Sequence, residues 1–569
     1  MMGDAMLTFS PDPDKAEQEM HAIIFYLTTF GYIDGDFDAS EKTFVRAYIR
    51  KLVEHRADTA MTDADPAFRS EIVEKFTAHF HEVFEGIDLR IQELFAEPVQ
   101  KDEDPSAFVH TKLKVRCFEI FQSFDRAGQE QLMATIDELL LADGHAHPAE
   151  LKFRGELAAL LSTEVDLELV DDEDAVAHVR VELPRKPSAT GENHPFFVPA
   201  EFHYSADRKK ILEQASRDRV LIDRVMGILE RQREKGNGRL TGKTNVAEIP
   251  AGESFLDGHT YVVRPVPKRS YELTVLGDLH GCYSVLKATL IQSRFFEKVT
   301  AFRQDPNSVP EPKLVLLGDY IDRGLFSLNG VLRTVLQLFA TAPDHVIALR
   351  GNHEYYVEYN GNVYGGVKPA ESINTLKPHL PLDVFRHYAK LFEQLPNTLL
   401  FDRFFFVHGG IPRDRLIKER WKDLSTLNDP DLRFQMMWSD PSRVDVVPAD
   451  LQEKSARFPF GKLQLRAFLQ RMGCHTLVRG HEKVNSGFER TYDDEHAQLF
   501  TLFSAGGRDN NDLPVDSSYR TVTPMALTLQ LHPDGTSTIT PWAPDYRAYN
   551  DPQRNAFFQA PPEIAHRRD

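Results

Sequence analysis

Apolar positions along this chain follow two different periods. From residue 15 to about 163 they recur at helical spacing. Met20, Ile23, Ile24, Leu27 and Phe30 form one stripe, and Ile72, Phe76, Phe80, Val83, Ile87, Ile91 and Leu94 form a longer one. Such stripes predict amphipathic helices packed into a bundle. The charge run Asp171-Asp172-Glu173-Asp174, followed by Pro184, Pro187 and Gly191, reads as a linker. Helical spacing returns over Tyr204 to Lys235, with Ile211, Ala215, Ile222, Val225 and Leu229 on one side, and Gly236-Asn237-Gly238 ends it. The pattern leaves open which neighbour this helix packs on.

From about Tyr261 short apolar runs alternate with helices. Glu272 to Leu276, Lys313 to Leu317, His345 to Leu349, Phe404 to Val407, Thr476 to Arg479 and Leu499 to Phe503 predict strands. A hairpin is expected over Ala526 to Leu531 and Thr536 to Thr540, around Pro533-Asp534-Gly535. The expected fold class is α+β. An all-α domain spans 1–165, a linker with a connecting helix 166–245, the strand-rich domain 246–545 and a tail 546–569.

Composition narrows the function classes. The chain has 569 residues, 41% hydrophobic and 27% charged, enough for real cores in more than one domain. A net charge of -19 argues against a nucleic-acid or anionic-membrane binder. Three scattered cysteines, Cys117, Cys282 and Cys474, do not make a disulfide framework and fit a reducing interior. No run approaches the ~18 apolar residues of a membrane span. The first residues lack a signal-peptide pattern, so a cytoplasmic protein is expected.

Within the helical region one pattern occurs twice. Asp34-Gly35-Asp36-Phe37-Asp38-Ala39-Ser40-Glu41 and Asp143-Gly144-His145-Ala146-His147-Pro148-Ala149-Glu150 each join two helices, with glutamate seven residues after aspartate. An EF-hand is excluded, because the glycine is misplaced and Val45 stands where the last ligand belongs. The first 165 residues resemble TerB-like (tellurite-resistance) helical domains. That resemblance implies divalent-cation binding at the acidic elbows; solvated helix caps are the alternative.

Five strand ends carry the chemistry: Gly277-Asp278-Leu279-His280-Gly281, Gly318-Asp319-Tyr320-Ile321-Asp322-Arg323-Gly324, Arg350-Gly351-Asn352-His353-Glu354, His408-Gly409-Gly410 and Arg479-Gly480-His481. Asp278 and His280, two apart, can grip one ion together, and Asp319 can bridge to a second. Asn352, His408 and His481 complete an oxygen and imidazole set suited to Mn, Fe or Zn rather than calcium. Paired ions about 3.5–4 Å apart are the common arrangement for phosphate-ester hydrolysis, activating a bridging water.

These blocks resemble the phosphoprotein phosphatase family of metallophosphoesterases, over Leu273 to about Ser504. Trp438-Ser439-Asp440-Pro441 and Leu502-Phe503-Ser504-Ala505 are similar to its serine/threonine-specific branch. The resemblance implies a calcineurin-like β-sandwich flanked by helices and two divalent metals, manganese first among them. Asp278, His280 and Asp319 would bind the first metal; Asp319, Asn352, His408 and His481 the second. His353, steadied by Asp322, would protonate the leaving alkoxide. Arg323, with Asn352 and Arg457, would bind the phosphate. Arg350 and Glu354 read as structural supports.

The sequence departs from the family at one edge of the site. After Ser504-Ala505 the family shows Pro-Asn-Tyr, whereas this chain has Gly506-Gly507-Arg508. Arg508 or Asn510 is therefore expected to line that edge. The activity expected is serine/threonine protein dephosphorylation by direct attack of the metal-activated water. A nucleotide, dinucleoside-polyphosphate or small-ester hydrolase is the enzymatic alternative, and a metal-sensing scaffold the non-enzymatic one. The acidic helical domain is expected to bind a regulatory partner or metal.

Overall fold

The computed structural model describes residues 9–10, 12–33, 37–62, 65–94, 105–140, 151–155, 179–185, 193–455 and 457–567. The chain divides into two units, Met1–Asp166 with Ser442–Pro459 and Leu167–Pro441 with Phe460–Asp569.

The first unit holds the helices α1 (Pro13–Gly31), α2 (Ala39–Ala60), α3 (Pro66–Leu94), α4 (Pro105–Ser123) and α5 (Arg126–Leu139). Ile24, Leu27, Phe30, Ile49, Leu52, Phe84, Phe121 and Ile136 are buried in its core. On α3 the buried stripe runs through Val73, Phe80, Phe84, Ile87 and Ile91, and Phe76 is 45% exposed, contrary to the expected stripe. Asp38 starts α2 as a capping box. Its Oδ1 accepts from the Ser40 and Glu41 amides at 2.6 and 2.8 Å, and Glu41 Oε2 accepts from the Asp38 amide at 2.9 Å. Asp34, Gly35 and Asp36 of this elbow, and all of the Asp143–Glu150 elbow, lie outside the described residues.

Two main sheets build the second unit. One runs β1 (Val179–Val181), β15 (Ser537–Trp542), β14 (Ala526–Leu531), β4 (Tyr271–Leu276), β5 (Glu311–Leu316), β6 (Val346–Ala348). The other runs β12 (Phe488–Asp494), β13 (Ala497–Leu502), β11 (Thr476–Arg479), β10 (Phe404–Val407), β9 (Thr398–Phe401), β3 (Thr260–Val263), β2 (Ser254–Asp257). A separate hairpin pairs β7 (Tyr356–Tyr359) with β8 (Asn362–Gly365). Leu273 and Val275 of β4 share one core with Phe404 and Phe406 of β10 and Phe500 of β13. Phe405 and Val407 turn to the opposite face, into a second core with Ile417, Phe468 and Leu469. Burial on both faces explains why these strands read as continuous apolar runs.

Strands β4, β5 and β6 are parallel, as are β10 and β11. Their carboxyl ends, where loops of open α/β sheets carry ligands, are the positions that the five blocks follow.

The stretch read as a linker contributes more than a connection. β1 pairs with β15, and the helix Arg208–Gly236 buries Ile211, Ile222, Val225 and Leu229 in the core of the second unit. The tail is also integrated: Tyr549, Phe557 and Ile564 are buried, and Glu563 accepts from Ser205 Oγ at 2.7 Å. Among the described residues no helix is long and apolar enough to cross a membrane.

Candidate functional site

The turns after these strands are backbone-strained where chemistry is expected. Among the described residues ten non-glycine residues have positive φ, and His280, Asp319, Asp322, Arg323 and His481 are five of them. A left-handed backbone costs such residues about 1–2 kcal/mol each. Surrounding packing holds them there, a pattern that marks functional sites. Close glycines complete the fit. A Cβ on Gly480 would lie 2.2 Å from Asp278 Oδ1, and one on Gly351 2.2 Å from Asp319 Oδ1.

Lone-pair atoms gather on both sides of Asp319. His280 Nε2 lies 3.5 Å from Asp319 Oδ2 and 3.8 Å from Asp278 Oδ2. His408 Nε2 lies 3.4 Å from Asp319 Oδ1. Asn352 Oδ1 meets His408 Nε2 at 2.8 Å and His481 Nδ1 at 3.1 Å. Ligand atoms of His280, Asp319 and His353 fall within 4.8 Å of one another, and so do those of Asp319, His408 and His481.

Backbone groups orient the ligands. His280 Nδ1 pairs with the Ile321 carbonyl at 2.9 Å and His408 Nδ1 with the Leu317 carbonyl at 3.0 Å, which aims each Nε2 lone pair inward. Asp278 Oδ1 accepts from the His481 amide at 2.8 Å, while Asp278 Oδ2 is buried without a hydrogen-bond partner. The Asn352 oxygen faces acceptors in this orientation. An orphaned buried carboxylate oxygen among imidazole nitrogens fits divalent cations.

The electrostatics agree with that donor set. Burial pushes the Asp278 carboxyl up to about 7, aided by the charge of Asp319. Burial also pushes Asp319 up, but His408 and His353 outweigh it and hold that carboxyl well below its ordinary range. His408 is raised to about 9: burial opposes its charge, and Asp319 more than compensates. Protons thus balance the buried carboxylates where cations fit.

Beside this cluster, His353 Nδ1 lies 2.8 Å from Asp322 Oδ2, and Asp322 Oδ1 accepts from the Ser372 amide at 2.9 Å. Arg323 NH1 donates to the Pro369 carbonyl at 2.7 Å and to Glu371 Oε2 at 2.9 Å. Its NH2 reaches His353 Nε2 and the Lys368 carbonyl at 3.5 Å each, the outer limit of hydrogen bonding. Glu354 takes the amides of Asp319, Tyr320 and Gly351 at 2.8, 2.8 and 2.9 Å, and Arg350 Nε donates to the Glu354 carbonyl at 3.0 Å. Arg350 and Glu354 thus brace the loops.

The structure gathers Asp278, His280, Asp319, Asp322, Arg323, Asn352, His353, His408 and His481 in one place. Arg457 lies in the Ser442–Pro459 segment of the first unit, on a half-buried turn where its amide donates to Ser455 Oγ at 3.3 Å.

The edge expected to carry Arg508 or Asn510 is occupied differently. Tyr519 is half-buried within electrostatic reach of Arg323, and its ring centroid lies 5.4 Å from those of His280 and Phe503. Asn510 is buried, donating to the Gly506 carbonyl at 2.8 Å, and Arg508 is exposed. The turn Ser518–Thr521 follows the last recognisable block at a distance, so no motif spacing points to Tyr519. Glu371 and Ser372 were equally invisible, because they act only through Arg323 and Asp322.

Residues 271–485 match the calcineurin-like phosphoesterase family. The chain is 26% identical over 321 residues to a probable serine/threonine-protein phosphatase of Encephalitozoon cuniculi, covering 56% of this chain and 63% of that protein. It is 29% identical over 243 residues to the serine/threonine-protein phosphatase 6 catalytic subunit of Caenorhabditis elegans, covering 42% and 65%. Against the serine/threonine-protein phosphatase 4 catalytic subunit of Eremothecium gossypii it is 26% identical over 237 residues, covering 41% and 68%. The chain thus spans less than two thirds of the first and second of these relatives. A solved serine/threonine phosphatase from Saccharomyces cerevisiae superposes with a TM-score of 0.37 at 19% identity, covering 58% of this chain and 90% of that one.

Proposed function

We propose that this chain, whose residues 271–485 form a calcineurin-like phosphoesterase domain homologous to serine/threonine phosphatase catalytic subunits, is a metal-dependent protein phosphatase for phosphoserine and phosphothreonine. One juxtaposition carries the reading. An imidazole held by a carboxylate, His353 on Asp322, stands with Arg323 beside the cluster of lone pairs centred on Asp319.

Asp278, His280 and Asp319 would hold one divalent ion, and Asp319, Asn352, His408 and His481 a second. When bound, such a pair supplies Lewis acidity to the phosphoryl oxygens and to water. Mn, Fe and Zn all suit this mixed set, and manganese is put first on the resemblance to the phosphoprotein phosphatases.

The chain's own residues supply the rest. Arg323 offers NH2 to a phosphoryl oxygen while Glu371 and Pro369 fix the remainder of its fork. Asn352 would offer its amide N–H to the same oxygens. His353 holds a proton at Nε2 and delivers it to the departing serine or threonine oxygen, a poor leaving group without it. The Asp322 carboxylate fixes the ring's orientation through Nδ1. The buried, unpaired state of Cys117, Cys282 and Cys474 supports a reducing compartment, and we place the protein in the cytoplasm.

The test is a substrate panel on manganese-loaded full-length chain. Phosphoserine and phosphothreonine peptides are expected to turn over with higher kcat/KM than a dinucleoside polyphosphate. The reverse order would move the assignment to a nucleotide hydrolase. No turnover of any ester by metal-loaded protein would leave the scaffold reading.

A further inference from the structure

The helical unit carries its own cluster of metal-ligating side chains, apart from both acidic elbows. Glu17, His21 and His79 each place one ligand atom so that all three lie within 4.8 Å of one another. His79 Nε2 and Glu17 Oε1 are 3.6 Å apart. All three residues are exposed and belong to the first unit.

The helices put them there. Glu17 and His21 stand one turn apart on α1, so their side chains share a face. Each follows a buried residue, Ala16 and Met20, which sets the pair on the rim of the apolar stripe. His79 has the same place on α3, beside buried Phe80. The Phe80 ring braces both imidazoles: its centroid is 5.9 Å from that of His21, edge-on, and 5.1 Å from that of His79. The two imidazole centroids are 6.4 Å apart. Rings braced on one phenyl lose less freedom on taking up a ligand geometry than free surface side chains do.

The donor chemistry selects the ion. Two imidazoles and one carboxylate suit zinc, whereas calcium and magnesium take oxygen ligands. Zinc bonds of about 2.0–2.2 Å at tetrahedral angles set ligand atoms about 3.4 Å apart. The 3.6 Å pair already stands near that spacing, and rotamer motion of exposed side chains closes the remainder. Burial lowers the His21 imidazole, Glu17 opposes the shift, and His79 and Arg90 add to it, so the ring offers a lone pair near neutral pH. Arg90 is partly engaged on its own helix, its Nε donating to the Gly86 carbonyl at 3.1 Å. As a bare exposed ion pair Glu17 and His79 would contribute little.

We infer that Glu17, His21 and His79 form a zinc site, three protein ligands with a fourth position open to solvent, which ties α1 to α3. The site stands whether or not the chain is a phosphatase.

A metal count on the full-length chain tests it. Wild type and the double variant His21→Ala with His79→Ala are equilibrated at the same buffered micromolar free zinc and compared by elemental analysis. Wild type should hold one more divalent ion per chain. The catalytic cluster is the same in both proteins, so its ions cancel in the difference. Glu17→Gln removes one donor and leaves both histidines, and should weaken that extra ion at least about tenfold. Zinc should slow amide exchange in α1 and α3 of wild type and leave the double variant unchanged. Equal metal counts overturn the inference. So does an extra ion that millimolar magnesium displaces, or one whose binding leaves exchange in α1 and α3 untouched. Should the double variant lose its helical circular dichroism, Glu17→Gln decides alone: wild-type zinc affinity there overturns the site.

Discussion

Asp322 Oδ2 stands 2.8 Å from His353 Nδ1, and the other oxygen of that carboxylate is fixed by the Ser372 amide. Asp322 takes this position from a left-handed backbone, φ 67°, inside a turn whose next residue, Arg323, is also left-handed. Strain of this kind persists only where packing over-determines it, so the imidazole and the guanidinium are presented together by one turn.

Replacing His353 should therefore separate chemistry from binding. His353→Asn is expected to lower kcat by about 10²–10⁴-fold, the usual worth of a positioned general acid. Metal content should stay at the wild-type level. Asp322→Asn should give a smaller loss, because the ring remains but its orientation is held less firmly. Full activity of His353→Asn towards a phosphopeptide would remove His353 from the proposed mechanism.

Tyr519→Phe tests the edge of the site. The hydroxyl lies within electrostatic reach of Arg323 while Glu371 and Pro369 hold the fork, so the arginine keeps its place in the variant. Removing that hydroxyl from beside the arginine should lower kcat/KM for phosphopeptides about 5-fold. Steady-state kinetics read it directly; wild-type values would make Tyr519 a packing residue alone.

The ligand clusters were legible because each lies at the end of an apolar strand and beside a glycine, a local signal. The parallel sheets then bring the five blocks together. What stayed hidden was whatever acts across sequence distance. Tyr519, Glu371 and Ser372 touch the site only through the fold. Asp218 is an intermediate case. It falls on the same helical stripe as Ala215 and Ile222, where a charged residue among apolar ones hints at a buried pair, but the pattern alone does not name Arg333. Phe76 shows the converse: helical spacing placed it inside, and the packing of α3 turns Val73 inward instead.

That buried pair yields a stability prediction. Asp218 accepts from Arg333 Nε at 2.7 Å and NH2 at 3.0 Å, and from Tyr204 Oη at 2.5 Å. Asp218→Asn leaves the Arg333 charge buried without its counter-ion and should cost about 3–5 kcal/mol. A clearly lower denaturant midpoint in the catalytic unit's unfolding transition is the readout. The double change Asp218→Leu with Arg333→Met should recover much of the loss, since apolar packing can replace a buried ion pair. A midpoint unchanged in Asp218→Asn would show that the pair carries little.

His259 gives the pH dependence of stability. Burial lowers its imidazole to about 3, and the guanidinium groups of Arg433, Arg233 and Arg350 add to the effect. Its Nδ1 lies 3.2 Å from the Leu395 carbonyl, just past the end of the helix Leu382–Gln394. The folded chain thus keeps the ring neutral, whereas in the unfolded chain it protonates near ~6.5. Between those values the unfolded state binds one more proton, so stability rises with pH. The contribution is complete above ~6.5 and is lost on acidification towards the folded value. His259→Gln retains a hydrogen-bond donor and removes the titration. Its unfolding free energy should fall less steeply than wild type from pH 6.5 to 4.5, by at most about 1.4 kcal/mol per pH unit. Denaturant titrations at several pH values measure both slopes. Parallel lines for the two proteins would mean that other histidines govern the acid limb.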